Sequence, residues 1–308
     1  MSQKFSPGLK ALQRELEQRF GENRILKHEP LARYCNWKVG GPADLFLQVE
    51  TTSELVAAIQ LAFGNRQSFT VLGFGANSLV SDKGIRGLVI LNRAERIDFK
   101  PDDSVEVDSG TNLALLARRA ASHGLGGLEF LIGIPGTVGA AVAGNAGTRE
   151  QWISTVLLSC HVINQHGELV EQKPQDLEFA YRHSRLKSSG EVVVSARLCG
   201  QPDRPANIER KMKKLLDQRK NQPGGSSAGS VFKNPAGDFA GRLIEACGLK
   251  GYATGGAQIS QMHANFILNT GGATAEAIKT LIERCKSEVA SHFGIHLVEE
   301  IKYLGDWS

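Results

Sequence analysis

The sequence lacks the features typical of disulfide-rich, membrane-spanning and nucleic-acid-binding proteins. Its five cysteines are odd in number, widely spaced and free of any C-x-x-C pair, so we expect neither a disulfide framework nor a bound metal. The longest uncharged apolar run, 130–144, is too short to span a membrane and is broken by Pro135 and several glycines. Long blocks of like charge are missing, and a net charge of +4 is too small to indicate a nucleic-acid surface.

The remaining composition is that of an ordinary globular protein. A chain of 308 residues suffices for two or three domains, and 41% hydrophobic with 22% charged residues is a usual balance. The N-terminus carries Lys4, Lys10, Arg14 and Glu15 in an amphipathic pattern, which is not the pattern of a secretion signal. We therefore expect a cytoplasmic protein with mostly buried cysteine thiols.

Glycine, in contrast, is abundant. The chain has 34 glycines, many of them in loops between apolar runs. Such loops either bring backbone amides close to a ligand, often a phosphate, or form plain tight turns. Composition alone favours neither explanation.

Helical and strand patterns are mixed, which predicts an α+β or α/β fold. A leading helix with leucines at helical spacing ends at Gly21, and "GQPDRPAN" (200–207) has the composition of a linker. Four further helices are predicted to be capped by Ser53, Thr111, Asp238 and Thr274. Predicted strands cover 43–50, 69–73, 88–92, 191–198 and 295–305, with hairpins at 96–110 and 157–172. The predicted domain ranges are 1–32, 33–200 and 201–308.

The first glycine segment, "GFGANSLV" (73–80), follows a predicted strand. Gly73 and Gly75 match the start of a dinucleotide-binding fingerprint, but Ser78 replaces its third glycine and no convincing long helix follows. The segment still offers backbone amides, together with Asn77, to a pyrophosphate. A plain turn at the end of a strand explains it equally well.

The second glycine segment, "GIPGTVGAAVAGNAG" (133–147), alternates glycine with small apolar residues. Side chains this small let the backbone lie against a flat or charged ligand. The alternative is a closely packed helix, and we favour the ligand site.

The segment "AGSVFKNP" (228–235), called the Ser230 loop below, presents one hydroxyl, one ammonium and one amide. Gly229 allows unusual backbone angles and Pro235 ends any regular element. Ser230 caps a turn, binds a phosphate or transfers a proton. Elsewhere, Arg182 has the planar fork that suits a carboxylate or phosphate, although a lone arginine is usually a surface charge.

Taken in this order, the segments resemble the UDP-N-acetylenolpyruvoylglucosamine reductase family of bacterial cell-wall synthesis. The resemblance extends from "WKVGGPADLFL" (37–47) to "EEIKYLG" (299–305), with "GSVFKNP" and "HANFILN" as specific motifs. The chain is similar to the shorter form of the family, which lacks a long substrate-clamping insertion. The resemblance implies an FAD-binding PCMH-type, vanillyl-alcohol-oxidase-like fold of two α/β subdomains in 33–200 and an α/β substrate-binding domain in 201–308.

The resemblance also implies a reaction. NADPH reduces non-covalently bound FAD, the reduced flavin passes a hydride to C3 of the enolpyruvyl ether of UDP-N-acetylglucosamine, and an enzyme acid protonates C2 to give UDP-N-acetylmuramate. Ser230 matches the proton donor, and Arg182 and Glu300 match the other two catalytic positions. A guanidinium stabilises the enolate charge, whereas a serine is a weak acid that needs assistance. Adjacent strand residues face opposite ways, so Glu299 is expected to be solvated.

The remaining site residues are also assigned by the resemblance. The cofactor-binding residues are Gly73, Gly75, Ala76, Asn77, Ser78, Gly133, Pro135, Gly136, Thr137, Gly139, Gly144 and Asn145. The substrate-binding residues are Tyr181, Lys233, Asn234, Gln258 and His263, with Asn234 at the diphosphate. We expect a monomer that binds the UDP substrate and NADPH but neither nucleic acid nor membrane. Departures from the family pattern lie at 35–36, 148–150 and 219–229.

Two other interpretations were weighed. An alcohol oxidase of the same fold lacks the Ser-x-Phe-Lys-Asn-Pro sequence, and many such oxidases bind flavin covalently. A nucleotide-sugar-binding regulator needs no proton donor, so the joint presence of Arg182, Ser230 and Glu300 argues against it.

Overall fold

A computed structural model of the protein describes residues 5–308. Its α-helices are α1 (Pro7–Phe20), α2 (Thr52–Gly64), α3 (Leu113–Ser122), α4 (Val138–Gly144), α5 (Pro205–Asp217), α6 (Ala240–Ala246) and α7 (Ala275–Phe293). The predicted leading helix is confirmed as α1. It begins where the Ser6 side chain accepts a hydrogen bond from the Leu9 N–H (3.2 Å), and it ends at Gly21, whose φ is 94°.

The strands form several sheets. They are β1 (Ile25–Pro30), β2 (Pro42–Val49), β3 (Phe69–Leu72), β4 (Ser78–Val80), β5 (Ile85–Asn92), β6 (Ile97–Phe99), β7 (Ser104–Asp108), β8 (Leu125–Gly126), β9 (Leu157–Ile163), β10 (Leu169–Gln172), β11 (Val192–Cys199), β12 (Gln201–Pro202), β13 (Ala253–Thr254), β14 (Ala257–Ile259), β15 (Ile267–Asn269) and β16 (Lys302–Leu304). One sheet has the order β1-β2-β5-β3, with β3 parallel to β5. Both predicted hairpins, β6–β7 and β9–β10, are confirmed, and the mixed elements confirm the α+β fold.

Internal contacts divide the chain into two compact units. The first unit comprises the described residues up to Leu26, together with Leu45–Gly73 and Gly87–Lys220. Its five-stranded sheet has the order β10-β9-β11-β7-β6 and packs with α3 and α4 in one core. A separate core of the same unit joins α1 and α2 to apolar residues of the strands.

The second unit comprises Lys27–Asp44, Phe74–Arg86 and Asn221–Ser308. It contains the antiparallel sheet β13-β14-β15, the parallel pair β4 and β16, and helices α6 and α7. Trp37 is completely buried in its core, and the indole N–H donates a hydrogen bond to the Ile267 carbonyl at 2.7 Å. This tryptophan therefore connects an early segment to the C-terminal sheet of the same unit.

Three of the four predicted helix caps are wrong by one or two residues, and one of them, Asp238, lies just before Phe239, the N-cap position of α6. Thr51, not Ser53, caps α2, because the Thr51 hydroxyl accepts the Glu54 N–H at 3.2 Å. Asn112, not Thr111, caps α3. A capping side chain must reach a backbone N–H two or three residues later, and only the residue just outside the helix has that geometry. The predicted cap of α7 at Thr274 is confirmed.

The C-terminal strand is shorter than predicted. Regular pairing covers only Lys302–Leu304, which lies parallel to β4, whereas Glu299 forms an isolated bridge with Phe232. The stretch 295–298 has no regular strand structure, although the Val298 carbonyl accepts the Lys233 N–H at 2.8 Å.

The predicted linker 200–207 is instead ordered secondary structure. Gln201–Pro202 pairs with β8, and Pro205 is the first residue of α5, a position that tolerates proline because its N–H has no helical acceptor. The compact units accordingly change at Lys220, and they interleave along the chain rather than following the consecutive ranges 1–32, 33–200 and 201–308. The functional labels attached to those ranges remain predictions.

Most of the cysteine thiols are buried, as predicted. All five cysteines are unpaired, and Cys35, Cys160 and Cys285 are buried. Burial raises the pKa of Cys35 to about 11, so its thiol stays protonated and unreactive at neutral pH. Among the helices within 5–308, none combines the length and apolar character needed to cross a membrane. Lys4, part of the predicted N-terminal pattern, lies outside the described residues.

Candidate active site

The two glycine segments meet in the first unit. A β-carbon added at Gly73 would lie 2.7 Å from Cγ2 of Thr137, so only glycine lets the backbone come this close. The Gly73 carbonyl also accepts a hydrogen bond from Nη1 of Arg93 at 3.1 Å. The start of the first glycine segment therefore lies directly against Thr137 of the second, and both segments are predicted to hold the cofactor.

Close packing explains part of the second glycine segment. Its middle part is the short helix α4, capped by Thr137, whose hydroxyl accepts the Ala140 N–H at 3.4 Å. A β-carbon at Gly139 would lie 2.9 Å from Cβ of Ser109. The packed-helix alternative thus accounts for Gly139.

Gly136 has a different environment, which fits a ligand. Its φ of 128° is one that only glycine adopts readily, and a β-carbon there would meet nothing within 4 Å. Within residues 5–308, the N–H groups of Gly136 and Thr137 have no hydrogen-bond acceptor. Nearby, Thr111 accepts the Val138 N–H through its carbonyl, but its own buried hydroxyl has no partner among the described residues. These donors fit a cofactor rich in acceptor oxygens, such as FAD.

The rest of the first glycine segment lies in the second unit and supports the backbone there. A β-carbon at Gly75, where φ is 57°, would lie 2.3 Å from the Tyr34 carbonyl oxygen. The Asn77 amide donates a hydrogen bond to the Glu300 carbonyl at 3.0 Å, and Ser78 pairs with Lys302. Gly75, Asn77 and Ser78, all predicted to contact the cofactor, therefore support the local backbone. Contact of these three residues and of Ala76 with the cofactor stays a prediction.

Arg182 lies in a strained turn of the first unit. Its φ of 54° is unusual for any residue other than glycine. Nη1 of Arg182 donates a hydrogen bond to the Gly147 carbonyl at 3.0 Å, and its guanidinium carbon is 5.7 Å from the centre of the Tyr181 ring. The strain and these contacts hold the guanidinium at the end of the second glycine segment.

Residues at the end of α4 anchor this turn. Asn145, in the left-handed conformation, donates through Nδ2 to the Ala180 carbonyl at 2.9 Å and accepts the Ser154 N–H at 3.3 Å. The Ser184 hydroxyl donates to the Ala143 carbonyl at 2.7 Å. Asn145 was predicted to bind the cofactor, and in the structure its side-chain amide holds the Arg182 turn in position.

The Ser230 loop and Glu300 are brought together in the second unit. Gly229 has a φ of 76°, and the partly buried Ser230 hydroxyl has no hydrogen-bond partner within the described part of the chain. The next residue, Val231, accepts the Glu300 N–H through its carbonyl at 2.8 Å. Two of the three predicted catalytic residues therefore lie on adjacent hydrogen-bonded segments.

Asn265 fixes the Ser230 loop and was not among the predicted site residues. It is 3% exposed, and its side-chain amide forms hydrogen bonds with both the N–H and the carbonyl of Phe232, each at 2.9 Å. Its own carbonyl accepts the Val231 N–H at 2.9 Å. The available signal was a polar amide inside the apolar stretch "ANFIL" (264–268), because a buried amide needs partners.

Glu299 was predicted to be solvated, but it is engaged in an ion pair. Its carboxylate forms an ion pair with Lys286 at 2.9 Å, and its backbone bridges to Phe232. The neighbouring Glu300 is partly buried, and its backbone is held by Val231 and Asn77. The prediction that these two glutamates differ in role is consistent with these contacts.

Lys233 and Asn234 lie near the end of the Ser230 loop, just before α6. The Asn234 side-chain oxygen accepts the Ala240 N–H at 3.1 Å, so it satisfies an orphan donor at the start of the helix. The predicted cap Asp238 instead pairs with Arg242, at 2.7 Å from Nε. The Lys233 N–H donates to the Val298 carbonyl at 2.8 Å.

The other predicted substrate residues are partly engaged. Gln258 donates to the Gly251 carbonyl at 3.2 Å. Burial lowers the pKa of His263, and its Nδ1 accepts the Asn265 N–H at 3.2 Å, so the ring is neutral with its hydrogen on Nε2. Tyr181 is 51% exposed.

Comparisons with known proteins agree with this architecture. Residues 43–173 match a family model described as "FAD binding domain", and residues 219–304 match "UDP-N-acetylenolpyruvoylglucosamine reductase, C-terminal domain". A UDP-N-acetylenolpyruvoylglucosamine reductase 2 from Symbiobacterium thermophilum is 42% identical over 92% of each chain, and a reductase of the same name from Heliobacterium modesticaldum is 43% identical over 91% of each. The crystal structure of the corresponding Thermus caldophilus reductase is 38% identical with a TM-score of 0.78, covering 91% of this chain and 98% of the other.

Fold, glycine segments and comparisons together define an FAD-dependent oxidoreductase. The structural match to the Thermus reductase extends over both compact units, since it covers nine-tenths of the chain. The chain belongs to the UDP-N-acetylenolpyruvoylglucosamine reductase family.

Proposed function

We propose that this protein reduces the enolpyruvyl ether of UDP-N-acetylglucosamine to the lactyl ether, giving UDP-N-acetylmuramate for peptidoglycan synthesis. NADPH is the reductant and non-covalently bound FAD the intermediary. The observation that carries the proposal is the hydrogen bond from the Glu300 N–H to the Val231 carbonyl at 2.8 Å, because it places an acidic residue on the segment next to an unengaged hydroxyl, that of Ser230.

When bound, FAD would supply hydride chemistry at C3, and the backbone N–H groups of Gly136 and Thr137 would help to hold it. Ser230 supplies the proton at C2. Its hydroxyl has no competing acceptor within the described residues, so it is available to a ligand. A serine alone is a poor acid, and the negative charge that develops on the substrate carbon makes the transfer favourable. Glu300 orients the donor from the adjacent segment.

Arg182 stabilises the negative charge that spreads from C2 into the substrate carboxylate. A fixed guanidinium is effective in this role because it needs no reorganisation during the reaction. The strained turn and the hydrogen bond to Gly147 keep the Arg182 side chain in one place.

The other predicted site residues are assigned to the substrate and to the cofactor. Tyr181, Lys233, Gln258 and His263 bind the UDP substrate, with His263 donating through Nε2, and the Asn234 amide nitrogen contacts the diphosphate. We assign FAD to the glycine segments, with Gly136 and Thr137 as backbone donors. We assign the reaction to the cytoplasm, where the protein acts as a monomer.

A product assay tests the proposal against its alternatives. Incubation of the purified protein with NADPH and the enolpyruvyl substrate should yield a UDP-sugar heavier by two hydrogens, detected by mass spectrometry. Flavin should leave the protein completely on denaturation. Failure to form the product, with substrate still bound, would favour a binding protein, and flavin that stays attached after denaturation would favour a covalent oxidase.

A further inference from the structure

Arg219 lies against the start of the second glycine segment. It follows α5 in the first unit, with its N–H donating to the Leu216 carbonyl at 3.0 Å. A β-carbon at Gly133 would lie 2.6 Å from Cδ, 3.4 Å from Nε and 3.6 Å from Nη1 of Arg219. Glycine at position 133 therefore makes room for this side chain.

The charge of Arg219 has no counterion within residues 5–308. The side chain is partly buried, and no carboxylate of the described chain lies within ion-pair distance. Burial lowers the pKa of Arg219, and the nearby cation Arg182 lowers it further. Arg24, by comparison, forms two hydrogen bonds with the Glu54 carboxylate, at 2.6 and 2.9 Å.

A partly buried arginine with a second arginine nearby and no counterion is unfavourable unless an anion binds beside it. A partly desolvated guanidinium loses hydration, and a second guanidinium nearby adds repulsion. An anionic group bound at this place would compensate both costs. The Gly133 contact identifies the place as the beginning of the segment to which we assign FAD.

We propose that Arg219 stabilises the negative charge that reduction leaves on the isoalloxazine ring of FAD. Reduction by NADPH delivers two electrons and one proton, so one negative charge remains on the ring system. A positive group near the ring favours the reduced state and raises the reduction potential. This inference rests on the proposed function, and it assigns Arg219 to tuning the cofactor rather than to proton transfer.

The test is the midpoint potential of the bound flavin, measured by reductive titration against a reference dye. Arg219→Met should lower the ratio of reduced to oxidised flavin about ten-fold at a fixed potential, which is about 30 mV for a two-electron couple. Arg219→Lys should retain most of the wild-type potential because it keeps the charge. Arg210→Met, on the exposed face of α5, is the matched control and should leave the potential unchanged.

Several results would overturn the inference. One is an unchanged potential in Arg219→Met with normal FAD content, and another is an equal fall in Arg219→Lys and Arg219→Met. Weaker binding of the UDP substrate at unchanged potential would assign Arg219 to a substrate anion instead. Should Arg219→Met fail to hold FAD, Arg219→Gln provides a second neutral variant of similar length. A wild-type protein that takes up no FAD contradicts the proposed function itself, and this is seen before any variant is made.

Discussion

The second glycine segment and the Ser230 loop hold their functional groups in place by different means. In the first, missing side chains let the backbone pack closely, as where Gly139 meets Ser109 and Gly73 meets Thr137. In the second, Gly229 stands in open space, and the loop is held by the hydrogen bonds of Asn265. Changes of volume should therefore damage the glycine segment, and losses of hydrogen bonds should damage the Ser230 loop.

The largest expected effect is on the proton donor. Ser230→Ala should leave flavin reduction by NADPH at the wild-type rate and slow reoxidation by the UDP substrate roughly 100- to 10,000-fold, the range for losing a general acid. Stopped-flow absorbance of each half-reaction measures this, with Ser227→Ala, just before the loop, as a control. Wild-type rates in both halves would remove Ser230 from the mechanism.

Arg182 should matter in the same half-reaction. Arg182→Ala should raise the barrier to reoxidation by about 3–4 kcal/mol, the scale for losing a group that stabilises a developing oxyanion. Arg182→Lys keeps the charge but loses the planar fork, so it should recover only part of the rate. Equal rates in wild type and Arg182→Ala would make this arginine a surface charge.

Replacing Asn265 tests whether its hydrogen bonds hold the Ser230 loop. Asn265→Ala leaves the N–H and the carbonyl of Phe232 without partners in a buried environment, which should lower the free energy of unfolding by about 2–3 kcal/mol. Urea denaturation followed by circular dichroism measures the loss. A value near zero would mean that the loop is held by something other than this amide.

A pair of glycine substitutions tests the comparison itself. Gly139→Ala should destabilise the protein by up to about 3 kcal/mol through overpacking against Ser109. Gly229→Ala should cost about 1 kcal/mol, for the backbone conformation alone. Asparagine tolerates that conformation, so Gly229→Asn should cost less than alanine, whereas Gly139→Asn should cost more. If alanine and asparagine ranked the same way in stability cost at both positions, then the two glycines would not differ in what they provide, space at Gly139 and backbone conformation at Gly229.

The smallest effect concerns the cap of α3. Asn112→Ala should cost about 1 kcal/mol, because the Leu115 N–H loses its acceptor. Thr111→Val should change the stability of the FAD-free protein little, since the Thr111 hydroxyl has no partner within the described chain. Thermal unfolding of the two variants distinguishes them, and a larger loss in Thr111→Val would restore the cap predicted from sequence.

The sequence predicted what depends on local pattern. Thr274 and its helix follow from an isolated capping residue and a clear apolar stripe, and the specific motifs led to the family. The cap of α2 was missed because Thr51, Thr52 and Ser53 are all suitable caps. Only the structure shows that Thr51 is the residue just outside the helix. Asn265 was missed because its partner Phe232 is 33 residues away, so nothing beside it in the chain indicates the contact.

In the proposed reaction, electrons enter and leave through the flavin, and Ser230 supplies the proton. The most direct measurement is the visible spectrum of the purified protein under anaerobic conditions, first with NADPH and then with the enolpyruvyl UDP substrate. We expect a yellow protein that NADPH bleaches and that the substrate restores to yellow. A colourless folded protein, or a bleached flavin that the substrate fails to reoxidise, would contradict it.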